Sequence, residues 1–156
     1  MVTSDAARLL MMSRAELDEL FATAEAGPVP GGEYQGTLIL PLGVVPLRGI
    51  AASAGRLAWR GKVFDAEARR LTNQVLHLGV HAVTAEVRTG PSRLDGRECI
   101  ILDYSRSSLV ARGVQDELRL LRPSFYLGEA YWHGLRIADF ALEADWRAPP
   151  RGTQTR

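Results

Sequence analysis

Glu98-Cys-Ile-Ile-Leu-Asp-Tyr104, Phe125-Tyr-Leu-Gly-Glu-Ala-Tyr-Trp132 and Arg136-Ile-Ala-Asp-Phe-Ala-Leu-Glu143 decide the fold of this chain. Apolar and polar residues alternate in all three, and the turn formers Pro91-Ser92, Asp95-Gly96 and His133-Gly134 punctuate them. The same pattern predicts strands over Glu33–Leu40, Leu57–Phe64, Leu71–His77, Val80–Arg88, Arg97–Tyr104, Gln115–Leu121, Phe125–Trp132 and Arg136–Ala144. Many short strands with short connections and one helix in front point to a mainly β protein, an eight-stranded antiparallel barrel with an N-terminal helix. A barrel of about eight strands either fills with side chains or holds one small ligand.

The helix is predicted at Ser13–Glu25. Ser13-Arg-Ala-Glu16 has the capping-box pattern, and Leu17, Leu20, Phe21 and Ala24 recur at helical spacing. Ser4 to Met12 adds a further turn or two, and the helix is expected to plug one end of the barrel through Leu17, Leu20 and Phe21. Gly27-Pro-Val-Pro-Gly-Gly32 ends it. Pro41 to Gly55 does not alternate and suits a lid-like loop or short helix at the barrel mouth. The barrel and its helix occupy 1–146, and the polar, Pro-containing stretch 147–156 is expected to be disordered.

With 156 residues, 46% of them hydrophobic and a formal net charge of +1, the chain has a core of ordinary size and no electrostatic case for nucleic acid or an anionic membrane. Leu9-Leu-Met-Met12 is too short for a secretory h-region, and no stretch approaches the roughly 20 apolar residues of a membrane span. A single cysteine, Cys99, forms no internal disulfide and reads as a small core residue, which fits a cytoplasmic location. Of the 19 basic residues, Lys62 is the one lysine. It is either kept for amine chemistry that a guanidinium cannot supply or a survivor of codon bias.

Strand parity sorts the remaining candidates. Asn73 and His77 share the parity of Val75, and a tight connection at Leu78-Gly79 would bring His77 near His81 as an acid–base pair; alternatively each is a strand-end histidine. Asp116 shares parity with Leu118 and Leu120 and points inward, whereas Glu117 and Arg119 face out. Asp103 and Tyr104 end their strand, and a buried carboxylate here needs a partner such as Lys62 or Arg106. The other reading of these aspartates is a structural ion pair or a turn cap. Parity alone sets Lys62 opposite Trp59, but a bulge at Gly61 would re-aim it to the mouth, toward Asp116 or Asp103. Tyr34, Trp59, Tyr126, Tyr131 and Trp132 either line a ligand pocket or fill the core. Zinc wants three or four ligands in compact spacing, so no metal site is expected. No Gly-x-Ser-x-Gly elbow, His-Glu-x-x-His helix, phosphate loop or dinucleotide fingerprint occurs, and no cofactor is expected.

Gly32-Glu-Tyr34 resembles the Gly-x-Trp of lipocalins and calycins, with Tyr for Trp. Leu102-Asp-Tyr104 resembles their Thr-Asp-Tyr, and Arg119 or Arg122 would supply their later arginine. Trp59-Arg-Gly-Lys-Val-Phe64, Gly90-Pro-Ser-Arg-Leu-Asp-Gly96, Ile101-Leu-Asp-Tyr104, Asp116-Glu-Leu-Arg119 and Tyr126-Leu-Gly128 also resemble small bacterial proteins without an assigned function. The function expected is binding of a hydrophobic small molecule, with a cofactor-independent isomerisation or cyclisation carried by Lys62, Asp103, Asp116, Tyr104, His77 and His81. The alternative is a non-catalytic carrier of a hydrophobic ligand or cofactor. Partners are that small molecule and at most a second copy of the chain as a homodimer.

Overall fold

A computed structural model describes residues 5–40, 59–75, 83–107 and 111–144. Two helices, α1 (Asp5–Leu9) and α2 (Arg14–Thr23), precede eight strands. These are β1 (Gly32–Ile39), β2 (Trp59–Asp65), β3 (Arg70–Val75), β4 (Thr84–Pro91), β5 (Glu98–Asp103), β6 (Val114–Arg122), β7 (Phe125–Trp132) and β8 (Leu135–Ala144). Each strand pairs antiparallel with the next, and β1 pairs with β8 to close the barrel. Closure leaves no unpaired edge, which is how eight short strands avoid presenting a template for aggregation.

The capping box forms as the sequence predicts: Glu16 N–H donates to the Ser13 hydroxyl, and Ser13 N–H donates to the Glu16 carboxylate at 2.7 Å. The helix pair does not plug the barrel. Leu17 and Phe21 pack with Leu9, Ile39, Cys99, Ile101, Phe125, Leu127 and Ala141 in a core of their own. Those strand residues have the outward parity, so α1 and α2 cover the outer wall. The physical reason lies in β5 and β7, which carry apolar residues on both faces. Cys99-Ile-Ile-Leu102 needs cover outside as well as inside.

Inside the barrel, a second core joins Tyr34, Phe64, Leu71, Val87, Ile100, Leu102, Leu118, Tyr126 and Leu142. Tyr34 meets Phe64 and Tyr126 edge-on, with ring centroids 5.6 and 5.8 Å apart, and Tyr126 donates its hydroxyl to Pro28 O at 2.7 Å. These aromatics fill the end of the barrel where β1 begins, so Tyr34 and Tyr126 act there as core. The opposite end, where β1, β3, β5 and β7 finish, carries the site described next.

Candidate functional site

Gly61 sets the geometry. Its φ is +148°, and a Cβ there would lie 1.9 Å from the Tyr34 carbonyl oxygen, so only glycine fits. The β2–β3 register slips between Trp59 and Gly61, which puts Trp59 and Lys62 on the same inner wall despite their opposite numbering parity. Gly36 on β1 leaves room for the Trp59 indole, whose ring would meet a Cβ at 2.3 Å. Trp59 in turn stands edge-on to Phe140 on β8, centroids 5.6 Å apart. Large rings folded against glycine backbone, opposite the small side chains of Ala111 and Ala130, leave a cavity of about 260 Å³. Its walls are Leu38, Trp59, Lys62, Asn73, Val83, Tyr104, Ala111, Val114, Asp116, Ala130 and Phe140.

One polar cluster interrupts these apolar walls. The Lys62 amine donates to Asn73 Oδ1 at 2.8 Å, to Tyr104 Oη at 2.6 Å and to Asp116 Oδ2 at 2.9 Å. Asn73 Nδ2 donates to Tyr104 Oη at 3.0 Å, Tyr104 donates to Asp116 Oδ2 at 3.1 Å, and Trp59 Nε1 donates to Asn73 Oδ1 at 3.3 Å. The faces of Trp59, Tyr104 and Phe140 stand 5.4, 5.2 and 5.2 Å from Lys62 Nζ. Burial pulls the Lys62 ammonium below its ordinary range, and the adjacent Asp116 carboxylate opposes that shift. Burial, with the same carboxylate, pushes the Tyr104 phenol well above its ordinary value, so it stays protonated and keeps a hydrogen to give.

Lys62, Asp116, Tyr104, Asn73 and Trp59 are therefore brought together. Asp103 is not. It has the outward parity, half-buried beside Arg88 at 3.9 Å, and accepts from Ser105 N–H as a turn cap. Arg106 pairs with Glu86 rather than with an inward carboxylate. Tyr131 also faces outward and donates to Glu129 at 2.7 Å. Trp132, half exposed at the tip of the β7–β8 hairpin, stacks edge-on with His133 because no described element lies beyond the turn to cover it. His77, His81 and Pro41–Gly55 lie outside the described residues. Among the described residues, no group of three His, Cys, Asp or Glu side chains is placed to hold a metal ion. Leu38, Ala130 and Phe140 went unnamed from sequence, although inward parity on their strands marks each of them.

A second set of buried charges lies on the outer wall. Glu117, Arg119 and Glu129 have no exposed surface, and Asp139 has almost none. Arg119 grips Asp95 with two bonds of 2.7 Å and donates to the carbonyls of Phe21, Arg97 and Glu98. Glu117 accepts from the Ser92 hydroxyl at 2.7 Å and from Arg93 N–H at 3.0 Å. Arg136 joins Glu129, Asp139 and Asp18. Outward parity here means burial beneath α2 and the β4–β5 turn, not exposure to water. Arg119 stacks on Phe21, and Arg122 pairs with Asp5 and Glu143. Cys99 is fully buried on this wall, and burial pushes its thiol up to about 12.

No protein-family model matches the chain, and no curated protein is similar enough to count as a match. Among solved structures, the barrel is similar to a protein from Thermomonospora curvata. That chain is 18% identical, with a TM-score of 0.60 over 86% of this chain and 88% of the other. The likeness establishes the fold and says nothing of the chemistry. No described helix is long and apolar enough to cross a membrane.

Proposed function

We propose that the barrel binds one small, largely apolar molecule in the cavity beside Lys62 and moves a proton on it, in a cofactor-independent isomerisation or cyclisation. The observation that carries this reading is the Lys62–Asp116 ion pair, 2.9 Å long and almost fully buried, set in the wall of an otherwise apolar cavity. A buried ion pair is a weak source of stability and is often replaceable by apolar residues. Beside a cavity it supplies what proton transfer needs, an acid and a base held within reach of one bound molecule. Asp116 is the base that takes a proton from carbon. Lys62 and the Tyr104 phenol turn a hydrogen from their present partners, Asn73 and Asp116, to the oxygen where charge develops. Lowering the Lys62 value strengthens it as an acid, and the apolar walls of Trp59, Phe140 and Leu38 lower the local dielectric, which strengthens each of these interactions. Lipocalins and calycins, which the Gly32-Glu-Tyr34 pattern resembles, offer the same kind of one-ligand barrel, and the free thiol of Cys99 fits a cytoplasmic setting.

A carrier is the second reading, favoured by one observation. All three N–H groups of Lys62 are already held by protein partners, so the network closes on itself. The probe 2-tetralone, a bicyclic ketone with exchangeable hydrogens beside its carbonyl, separates the two. Saturable quenching of tryptophan emission reports binding, and NMR in deuterated water reports exchange. Binding with exchange that Asp116→Asn abolishes supports the enzyme, and binding without exchange supports the carrier. An Ala130→Trp variant, which fills the cavity, loses both signals. Equal quenching in wild type and Ala130→Trp overturns the cavity as the site.

A further inference from the structure

We infer that Lys62 captures an aldehyde or ketone in this cavity as a protonated imine, with Asp116 as its counter-ion. The inference rests on the reading of the cavity as a ligand site and names the ligand class. Lys62 Nζ sits on the cavity wall, ringed by the faces of Trp59, Tyr104 and Phe140 within 5.4 Å. Those faces stabilise a cation whether it is an ammonium or an iminium.

The hydrogen-bond network tolerates the change. A protonated imine keeps one N–H, directed to Asp116 Oδ2 in place of the present 2.9 Å bond. Asn73 Oδ1 then retains the Trp59 indole N–H, Tyr104 Oη retains Asn73 Nδ2, and Asp116 retains the Tyr104 hydroxyl. No acceptor is left orphaned when Lys62 gives up two of its three donors, which removes the usual cost of breaking a buried network. The step balances without a co-reactant. Lys62 passes a proton to Asp116, and its freed electron pair forms the C–N bond while the carbonyl π pair moves to oxygen. That oxygen takes the proton from Asp116, then a second one from nitrogen, and leaves as water as the C=N bond forms. Ammonium plus carbonyl thus give iminium plus water, with charge conserved. Burial that lowers the lysine's proton affinity frees the electron pair that attacks. An arginine in this position, the residue the chain uses for every other basic side chain, has no such pair to offer.

The composition makes the test clean, because Lys62 is the only lysine and the α-amino group is the only other primary amine. The full chain is incubated with 2-naphthaldehyde, which has no hydrogen to exchange beside its carbonyl, and sodium cyanoborohydride. Intact mass and peptide mapping then locate the adduct, which adds the aldehyde less one oxygen atom. The expected result is Lys62 labelled at least about tenfold over the α-amino group, because only Lys62 sits in a site that binds and activates. Labelling should be suppressed by 2-naphthalenemethanol, an isostere that cannot form an imine, and in Ala130→Trp. Labelling confined to the α-amino group, while 2-naphthalenemethanol still quenches tryptophan in a saturable way, overturns the imine and leaves the proton-transfer reading standing. Absence of both labelling and quenching overturns the two together. Asp116→Asn, checked for folding by near-ultraviolet circular dichroism, should slow labelling at Lys62; unchanged labelling overturns Asp116 as the counter-ion.

Discussion

Two groups of buried charges share this barrel and differ in what they face. Inside, Lys62 and Asp116 border a cavity of about 260 Å³. Outside, Arg119, Glu117, Glu129, Arg136 and Asp139 border a helix and a turn, and Arg119 holds the more exposed Asp95. The outer group is the larger and fastens α2 and the β4–β5 turn to the wall, so most of its polar atoms join protein to protein. The inner group joins side chains from β2, β3, β6 and the end of β5, which the barrel already holds in register, and it abuts a cavity. Burial of charge therefore does not mark a site by itself. Burial beside a cavity is the added feature on which the proposed site rests.

Breaking the outer group should have the largest effect on stability. Arg119→Ala removes the two bonds to Asp95, three to backbone carbonyls and the stacking on Phe21, and should cost the upper part of about 3–5 kcal/mol. Urea denaturation would show it, and a loss under about 1 kcal/mol would mean that the wall is not fastened there.

The inner group should answer differently. Lys62→Met alone leaves Asp116 buried without its cation and should cost about 3 kcal/mol. Adding Asp116→Leu should recover most of that loss, since apolar residues of similar volume replace buried ion pairs at little cost. The double variant should fold near wild-type stability yet lose exchange on 2-tetralone. Full exchange in the double variant would erase the distinction between the two regions.

A third expectation uses pH. Burial raises the Glu129 carboxyl from its ordinary 4.5 to about 7, with Tyr131 and Arg136 pulling the other way. Between these values the folded chain holds a proton that the unfolded chain has lost, so stability should fall as pH rises from about 4.5 and level off above about 7. The loss should be on the order of 2 kcal/mol, and burial of Asp139 adds to it in the same direction. Glu129→Gln should flatten this stretch of the pH–stability profile without touching 2-tetralone binding. A profile unchanged by that substitution would place the titration elsewhere.

The smallest effect belongs to Asp103. Its carboxylate caps a turn and lies 3.9 Å from Arg88 in partial contact with water, so Asp103→Asn should change stability by less than about 1 kcal/mol. Exchange should be unaffected; a large loss would return Asp103 to the site.

Much of the fold was legible because antiparallel strands with one wet face write their period into the chain. Phe125–Trp132 is read from sequence with the bounds it has in the structure. The capping box at Ser13 and the glycine at 61 were equally readable, since each answers to a local backbone requirement. Lys62 drew notice by composition alone, as the single lysine among 19 basic residues. What period and composition could not convey was which side of a strand meets another layer. Cys99-Ile-Ile-Leu102 carried the sign of cover on both faces, but not that α2 would provide it along the wall instead of across an end. Nor did parity reveal that Glu117 and Arg119, facing out, would be wholly buried.

The number and order of strands and the helix start depend on neighbours along the chain and can be read from it, and the rarity of the lysine is a matter of composition. The barrel sets the convergence of Lys62, Asn73, Tyr104 and Asp116, as each comes from a different strand or strand end. It also decided that Tyr34 and Tyr126 fill one end of the barrel while Trp59 and Phe140 leave space at the other. The reason is closure. Joining β1 to β8 fixes which inward side chains meet across the barrel, and those distances depend on the register of all eight strands at once.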